Sequence, residues 1–255
     1  AQWLVVINRL DICFAVSSLS RFNCAPREGH LTRALRVWGY LKQHKGRRIL
    51  FNSRPPKFDP LLTPVMADFT ENYPDAMEEI DTQFPKPHGQ ELDTTILFDS
   101  DHAHDTVTRR SITGILIFVG STPVHWISKR QGAIETSTYG AEFNAMRTAA
   151  EETIALRYML RSLGVPVSKP TDMMGNNIGV IQNASNPEGL LKKKHTALSF
   201  HRVRECNAAG ILSPYHIPGV DNHADILTKV IPESPFNGHV SDLMCGQDRK
   251  RKRGS

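Results

Sequence analysis

The sequence predicts an α/β protein built on a mixed sheet with helices on its faces. The first observation is a set of three short β-rich runs at residues 94–99, 114–119 and 123–128, the last two separated by a hairpin-type turn at Gly120. The second is a long helical pattern over residues 138–163. The third is that strand and helix patterns alternate after it. A three-strand meander followed by such an alternation is typical of a mixed sheet flanked by helices.

The remaining elements follow from local patterns. Residues 11–22 and 27–44 predict two helices, and the second carries an apolar stripe that we expect to pack on a core. That stripe consists of Leu31, Leu35, Trp38 and Leu41. The long helix is expected to end at Gly164 and Pro166. The elements expected after it are a strand near 171–174, a helix over 178–184, a basic helix over 193–209, a strand over 211–217 and a final helix from Asn222.

Changes of composition along the chain predict four segments. Seven of the 16 prolines lie between residues 52 and 90, where they favour a linker or an irregular crossing segment because proline removes a backbone donor and fixes φ. The predicted segments are two helices over residues 1–50, a proline-rich linker over 51–90, the α/β domain over 91–235 and a basic, disordered tail over 236–255.

The positive charge of the chain is concentrated in that tail. Residues 249–253 are five consecutive basic side chains, and without them 26 Lys and Arg balance 26 Asp and Glu. Such a run is a solvated end, a nuclear-localisation signal or a phosphate contact. The four cysteines form no CxxC pair, which favours an intracellular, reducing compartment. No run approaches the ~20 apolar residues of a membrane span, so no membrane partner is expected.

Acidic side chains fall where predicted elements begin or end. Asp99 closes the first strand, Glu142 lies in the first turn of the long helix, and Asp225 opens the final helix. Carboxylates at such positions can converge at one edge of a sheet, and a cluster of them suits Mg²⁺. Two Mg²⁺ ions about 4 Å apart can activate water and stabilise the leaving oxygen in phosphodiester hydrolysis. For each acid alone, a helix cap or a surface ion pair is the alternative interpretation.

Six ordered motifs connect the chain to a known family. They lie at residues 98–101, 109–114, 126–131, 136–143, 192–195 and 224–229. Together they resemble the ribonuclease H domain of copia-type retrotransposon polyproteins. Upstream, residues 9–42 are similar to the end of the reverse transcriptase region of such polyproteins, although the chain starts after the point where the polymerase aspartate motif would occur.

The resemblance implies hydrolysis of the RNA strand of an RNA–DNA hybrid at a two-Mg²⁺ site. The four acidic positions of the family fall on Asp99, Glu142, Asn176 and Asp225, so this chain has three carboxylate ligands and a neutral fourth residue. Asp172 lies four strand residues before Asn176, roughly 13 Å away, and is no substitute. Because losing one preorganised electrostatic group costs at least about 10²-fold in rate, we expect Asn176 to impair hydrolysis.

A basic helix supplies the expected contacts to nucleic acid. Its candidate side chains are Lys192, Lys193, Lys194, His195 and Arg202. They are predicted to lie on the backbone of a hybrid and to respond to its shape, with a solvated face as the alternative. Upstream polyprotein segments are further expected partners. Two other hypotheses for the whole chain are a non-catalytic relic that binds nucleic acid and a decayed transposon fragment.

Overall fold

The computed structural model describes residues 1–52, 54, 67–189 and 197–246. These residues form two compact units, one comprising Ala1–Phe51 with the described residues from Val230, and the other Asn52–Lys229. Within the described ranges, no helix combines the length and the apolar character that crossing a membrane requires. Each unit is built around its own buried side chains.

The first unit is helical. Its elements are α1 (Gln2–Ile7), a 3₁₀ turn (Leu10–Ile12), α2 (Cys13–Ser20), α3 (Glu28–Gln43) and α7 (Glu233–Leu243). A buried carboxylate, Asp11, organises its interior. Arg9 donates to both oxygens of Asp11 at 2.9 and 2.7 Å, and the hydroxyl of Tyr40 donates to one of them at 2.9 Å. Burial, followed by the charge of Asp11, raises the pKa of Tyr40 well above its ordinary value.

The apolar stripe of α3 differs from its prediction. Leu41 is buried, but Leu31, Leu35 and Trp38 are more than half exposed, at 62%, 61% and 53%. The prediction that the whole stripe packs on a core is therefore wrong. The hydrophobic period correctly identified one face of a helix, but periodicity does not specify whether another element covers that face.

The segment after residue 230 also differs from its prediction. Helix α7 extends to Leu243, so the disordered tail does not begin at residue 236 as expected. Beyond it, the backbone of Cys245 exchanges two hydrogen bonds with that of Arg48, both at 2.8 Å, in an antiparallel bridge. The basic run at 249–253 lies outside the described residues.

The second unit contains a five-stranded mixed sheet. Its strands are β1 (Thr94–Asp101), β2 (Ile112–Val119), β3 (Thr122–Arg130), β4 (Thr171–Gly175) and β5 (Leu212–His216). Their order is β3-β2-β1-β4-β5. The pairs β3–β2 and β2–β1 are antiparallel, whereas β1–β4 and β4–β5 are parallel. The predicted mixed sheet, with three antiparallel strands followed by alternating helices and strands, is confirmed.

Helices pack on both faces of this sheet. They are α4 (Thr138–Ser162), α5 (Ile178–Ser185), α6 (Ala197–Ala208) and the 3₁₀ helices Gly219–Asp221 and His223–Leu227. Ser137 caps α4, since its hydroxyl accepts a hydrogen bond from the backbone N–H of Gly140 at 3.2 Å. The helix expected from Asn222 is a 3₁₀ helix, and Asn222 is its cap.

Alternating residues of β1 face opposite layers. Ile96 and Phe98 belong to the core cluster that also contains Phe143 and Met146 of α4. Because successive side chains of a strand point to opposite faces, Asp99 is directed to the other face, where the 3₁₀ helix His223–Leu227 packs. Asp99 therefore stands on the face away from α4, one residue after the core contact of Phe98.

The proline-rich segment is attached to the second unit where it is described. Residues 67–90 contain no helix or strand, in keeping with an irregular crossing, but they are not a free linker. Glu78 is ion-paired with Arg157 and Arg161 of α4, and the ring of Phe84 packs edge-on against Tyr158 at 4.7 Å. Residues 55–66 lie outside the described residues.

Candidate functional site

The candidate site lies at the edge of the sheet where the parallel strands β1 and β4 end. Leu97 is aligned with Met174 in their register, and β4 ends at Gly175. Continuing that register by two residues brings Asp99 and Asn176 to the same level of the edge. The topology thus brings together two of the four positions that the sequence analysis assigned to one site.

Asp99 is a buried carboxylate held by the segment that follows the 3₁₀ helix. Asp99 is 2% exposed to solvent. The hydroxyl of Thr228 donates to Asp99 Oδ2. The ammonium of Lys229 lies 3.6 Å from the same oxygen. A hydrogen bond and a nearby cation together stabilise an anion that burial alone would make costly.

Two features hold the 3₁₀ helix His223–Leu227 and the residues on either side of it against the sheet. The side chain of Asn222, fully buried, donates to the carbonyl of Phe98 at 2.9 Å. On β2, Gly114 is the register partner of Asp99. A Cβ at Gly114 would lie 2.6 Å from Thr228 Cγ2 and 2.8 Å from the carbonyl oxygen of Ala224. The absence of a side chain at position 114 is what lets the segment approach Asp99.

Glu142 reaches the site from the opposite layer. It is the fifth residue of α4, so it does not lie in the first turn as predicted. Burial raises the pKa of Glu142 well above its ordinary value, the charge of Asp99 adds to the rise, and Ser100 and Lys229 oppose it. Its Oε2 is buried and has no hydrogen-bond partner among the described residues.

Asp225 completes the group of acids. It lies within the 3₁₀ helix His223–Leu227, and its Oδ1 is 3.0 Å from the ammonium of Lys229. Burial, followed by the charge of Asp99, raises the pKa of Asp225 to about 6, against the attraction of Lys229. Since Asp99 raises the pKa of both Glu142 and Asp225, the three predicted acids are brought close enough to interact through their charges.

The chemistry of this donor set fits a hard divalent cation, but its arrangement is not that of a closed metal site. Three carboxylates and an unpartnered buried oxygen on Glu142 are what an oxygen-preferring ion would bind. However, across the described ranges no group of three or more His, Cys, Asp or Glu side chains could hold a metal ion. Asp99 and Glu142 approach from opposite layers, and Lys229 lies between Asp99 and Asp225.

Asn176 has contacts of its own at the end of β4. Its carbonyl oxygen lies 3.2 Å from His216 Nε2. Its side-chain nitrogen lies 3.5 Å from where a Cβ at Gly219 would be. Asn176, which the resemblance places at the third acidic position, therefore faces the 3₁₀ turn Gly219–Asp221.

The predicted nucleic-acid residues are only partly within the described chain. Lys192, Lys193, Lys194 and His195 lie outside the described residues. Arg202, on α6, is ion-paired with Glu151 of α4 at 3.2 Å and with Glu205 at 3.7 Å. Its guanidinium thus has two acids as partners in this structure.

Three residues of the site were given no role by the sequence analysis. They are Asn222, Thr228 and Lys229. Asn222 binds the carbonyl of Phe98 on β1, Thr228 donates to Asp99, and Lys229 pairs with Asp99 and Asp225. The signal available in the sequence was their spacing around Asp225, since Thr228 and Lys229 follow it by three and four residues, about one helical turn.

Comparison with known proteins identifies relatives along nearly the whole chain. No family model matches it. The sequence is 25% identical over 239 residues to the retrovirus-related Pol polyprotein from transposon RE1 of Arabidopsis thaliana, covering 94% of this chain and 14% of that protein. It is 27% identical over 235 residues to the retrovirus-related Pol polyprotein from transposon TNT 1-94 of Nicotiana tabacum, covering 92% of this chain and 15% of that protein. The chain thus spans a small part of these relatives' length.

A solved structure also aligns with part of this chain. LC11 ribonuclease H1, in its complex with an RNA/DNA hybrid, aligns with 53% of this chain and 93% of its own, at 19% identity and a TM-score of 0.43.

Proposed function

We propose that this chain, whose homologues are retrovirus-related Pol polyproteins of plant transposons, carries a domain whose ancestral activity is metal-dependent hydrolysis of RNA in RNA–DNA hybrids. The observation that supports this proposal is the meeting of Asp99, Glu142 and Asp225, from one strand and two helical segments, within electrostatic reach of one another. Buried like charges are expensive to bring together, so their convergence indicates a cation-dependent site.

In this proposal Asp99, Glu142 and Asp225 are the residues that would hold Mg²⁺. A bound Mg²⁺ would supply a Lewis acid and an activated water. The chain itself contributes the buried position of Asp99, which Thr228 fixes by its hydrogen bond, and the attachment of Asp225 through Asn222. A fixed carboxylate geometry lowers the reorganisation needed at the reacting phosphate.

Asn176 is proposed to weaken this activity. The family pattern has an acid at this position, whereas an amide offers an oxygen without charge. With Asp99, Glu142 and Asp225 ionised, the site has one negative charge fewer than the pattern requires to hold two dications. We therefore propose a domain that is impaired in hydrolysis and retains the fold.

The proposal extends to residues outside the α/β domain, where the similarity to Pol polyproteins supports it. We infer that residues 1–50 derive from the carboxy-terminal helices of a reverse transcriptase region. Segments upstream of it in a longer polyprotein are proposed partners. Arg202, together with Lys192, Lys193, Lys194 and His195, is proposed to contact the backbone of a hybrid.

The experiment compares the chain with its Asn176→Asp variant on an end-labelled RNA–DNA hybrid in Mg²⁺ or Mn²⁺. We expect the variant to cleave at least about 10²-fold faster than the natural sequence, because it regains one preorganised charge. Asp99→Asn in the Asn176→Asp background is the matched control and should abolish cleavage.

Equal cleavage by the two chains would show that the charge at position 176 does not limit the reaction. Absence of cleavage by both would contradict the hydrolase proposal and favour the second candidate, a relic that binds nucleic acid without chemistry. The neutral residue at position 176 is the observation that favours this second candidate, and hybrid binding without cleavage is its signature.

A further inference from the structure

The ammonium of Lys229 lies between two acids of the site. Its Nζ is 3.0 Å from Asp225 Oδ1 and 3.6 Å from Asp99 Oδ2. The two carboxylates come from different elements, the 3₁₀ helix His223–Leu227 and β1, so Lys229 bridges the contact between a helical segment and the sheet. A cation in this position offsets the repulsion between the two acids.

A third carboxylate lies within the electrostatic reach of Lys229. Asp101 follows Asp99 by two residues on β1, so both are directed to the same face of the sheet. Burial would lower the pKa of Lys229, but the charges of Asp99, Asp225 and Asp101 raise it above its ordinary value. Asp101 also pairs with His104, whose Nδ1 is 2.5 Å from Asp101 Oδ2.

The lysine has the freedom to change partners. Its side chain is 35% exposed, whereas that of Asp99 is 2% exposed. A lysine ammonium is a point charge on a flexible four-carbon stem, without the fixed fork of an arginine. The ion pair can therefore move at one end only, since the carboxylate of Asp99 is buried and held by Thr228.

We propose that Lys229 is the built-in counterion of this cluster, occupying the position between Asp99 and Asp225 that a divalent ion would take. A metal ion entering there displaces the ammonium, and Asp101 is the carboxylate that receives it. This inference rests on the proposed function only in its choice of a divalent metal as the competing ion.

The charges of the cluster agree with this competition. Asp99, Glu142 and Asp225 contribute three negative charges when ionised, and Lys229 returns one positive charge. With the lysine in place, the remaining charge matches one dication and not the two expected from the resemblance. Asn176 adds none, so the ammonium and the metal ions compete for the same limited negative charge.

The test is a titration of the purified, metal-free full chain with Mn²⁺, followed by the electron paramagnetic resonance signal of the free ion. Lys229→Met removes the ammonium while keeping a long unbranched side chain. We expect it to bind Mn²⁺ about tenfold tighter than the natural chain. Lys169→Met is the matched control, because Lys169 pairs with Asp93 at 3.1 Å away from the site, and its Mn²⁺ affinity should be unchanged.

Two additional variants keep the result interpretable. Lys229→Gln repeats the loss of charge with a polar side chain, so a gain of affinity in either folded variant supports the proposal. Adding Asp99→Asn to Lys229→Met should remove the gain, which locates the ion at this cluster. Folding of each variant is checked by circular dichroism before the titration.

Mn²⁺ affinities of both Lys229 variants that equal or fall below that of the natural chain would overturn the proposal. The same holds if no chain binds Mn²⁺, or if the gain survives Asp99→Asn. The outcome is separate from that of the cleavage assay. A gain of Mn²⁺ affinity without cleavage by any variant would leave Lys229 as the counterion and contradict only the hydrolase proposal.

Discussion

Arg157 donates from Nε and Nη2 to the two carboxylate oxygens of Glu78, both at 2.7 Å, although the two residues are 79 positions apart. Arg161 donates to the same two oxygens at 2.5 and 2.7 Å. The side chain of Arg157 is only 2% exposed. A single carboxylate from the proline-rich segment therefore pairs with two arginines of α4.

Glu78→Ala is expected to lower the free energy of unfolding by about 3 kcal/mol. The reason is that removing one partner of a buried ion pair leaves an uncompensated charge, here that of Arg157. Urea denaturation, monitored by circular dichroism, measures this change in the free energy of unfolding. Glu151→Ala is the control, since Glu151 makes an exposed pair with Arg202 and its loss should cost no more than about 1 kcal/mol. Equal losses in the two variants would contradict the prediction.

The same carboxylate predicts a pH dependence of stability. Burial alone would raise the pKa of Glu78, but hydrogen bonds and charges from Arg157 and Arg161 lower it from 4.5 to about 2. A folded-state pKa below the unfolded value means that this contribution is complete above pH 4.5 and is lost as the pH falls towards 2.

The measurement is the difference in unfolding free energy between the natural chain and Glu78→Gln at a series of pH values. We expect a constant difference above pH 5.5, about one unit above the ordinary pKa, and a progressive decrease below it. A difference that persists unchanged down to pH 2 would show that the charge of Glu78 is not what stabilises the pair of arginines.

Gly114→Ala is expected to destabilise the second unit by about 1–3 kcal/mol, the usual cost of overpacking. Its Cβ would meet Thr228 Cγ2 at 2.6 Å and the backbone of Ala224 at 2.8 Å, so the segment that carries Asp225 must shift. Thermal denaturation measures the change. Gly39→Ala is the control, because Gly39 lies inside α3 with nothing within 4 Å of a Cβ, and alanine there should stabilise the helix slightly. A neutral Gly114→Ala would refute the close approach.

Glu151→Gln is expected to strengthen hybrid binding a few-fold at low salt. The change releases Arg202 from its nearest acid, and a freed guanidinium can pair with a phosphate. Fluorescence anisotropy with a labelled hybrid measures the affinity. Glu152→Gln is the matched control, since it removes the same charge from the next residue, whose partner is His125. If both variants gain the same affinity for the hybrid, the change in overall charge explains the gain, and Arg202 makes no specific contact with the hybrid.

Much of the fold was predictable because the second unit follows simple periodic rules. β1 begins at Thr94 and α4 at Thr138, as the patterns predict, because a buried strand run and a serine cap mark them locally. The patterns could not indicate α7, whose sequence contains Pro235 and Gly238 and resembles a loop. Cys245, which follows this helix, pairs with Arg48, which is distant in sequence, and local propensity carries no information about such a contact.

The sequence indicated the acids of the candidate site but not the lysine beside them. Asp99, Glu142 and Asp225 stand at element ends or on an apolar stripe, positions where a carboxylate needs an explanation. Lys229 is a single lysine between Thr228 and Val230, and nothing in these neighbours indicates that it lies between two of the acids. The distance between Asp99 and Lys229 is set by the packing of a 3₁₀ helix on the sheet, which depends on Gly114 across the strand.

The bridge between Arg48 and Cys245 has a consequence for how the protein is made. The helical unit consists of two stretches that the ribosome delivers at different times, and everything from Asn52 to Lys229 is synthesised between them. A nascent chain can therefore complete its α/β unit before the helical unit has its last helix. Until Cys245 is synthesised, the backbone N–H and C=O of Arg48 lack the partner with which they later form this bridge.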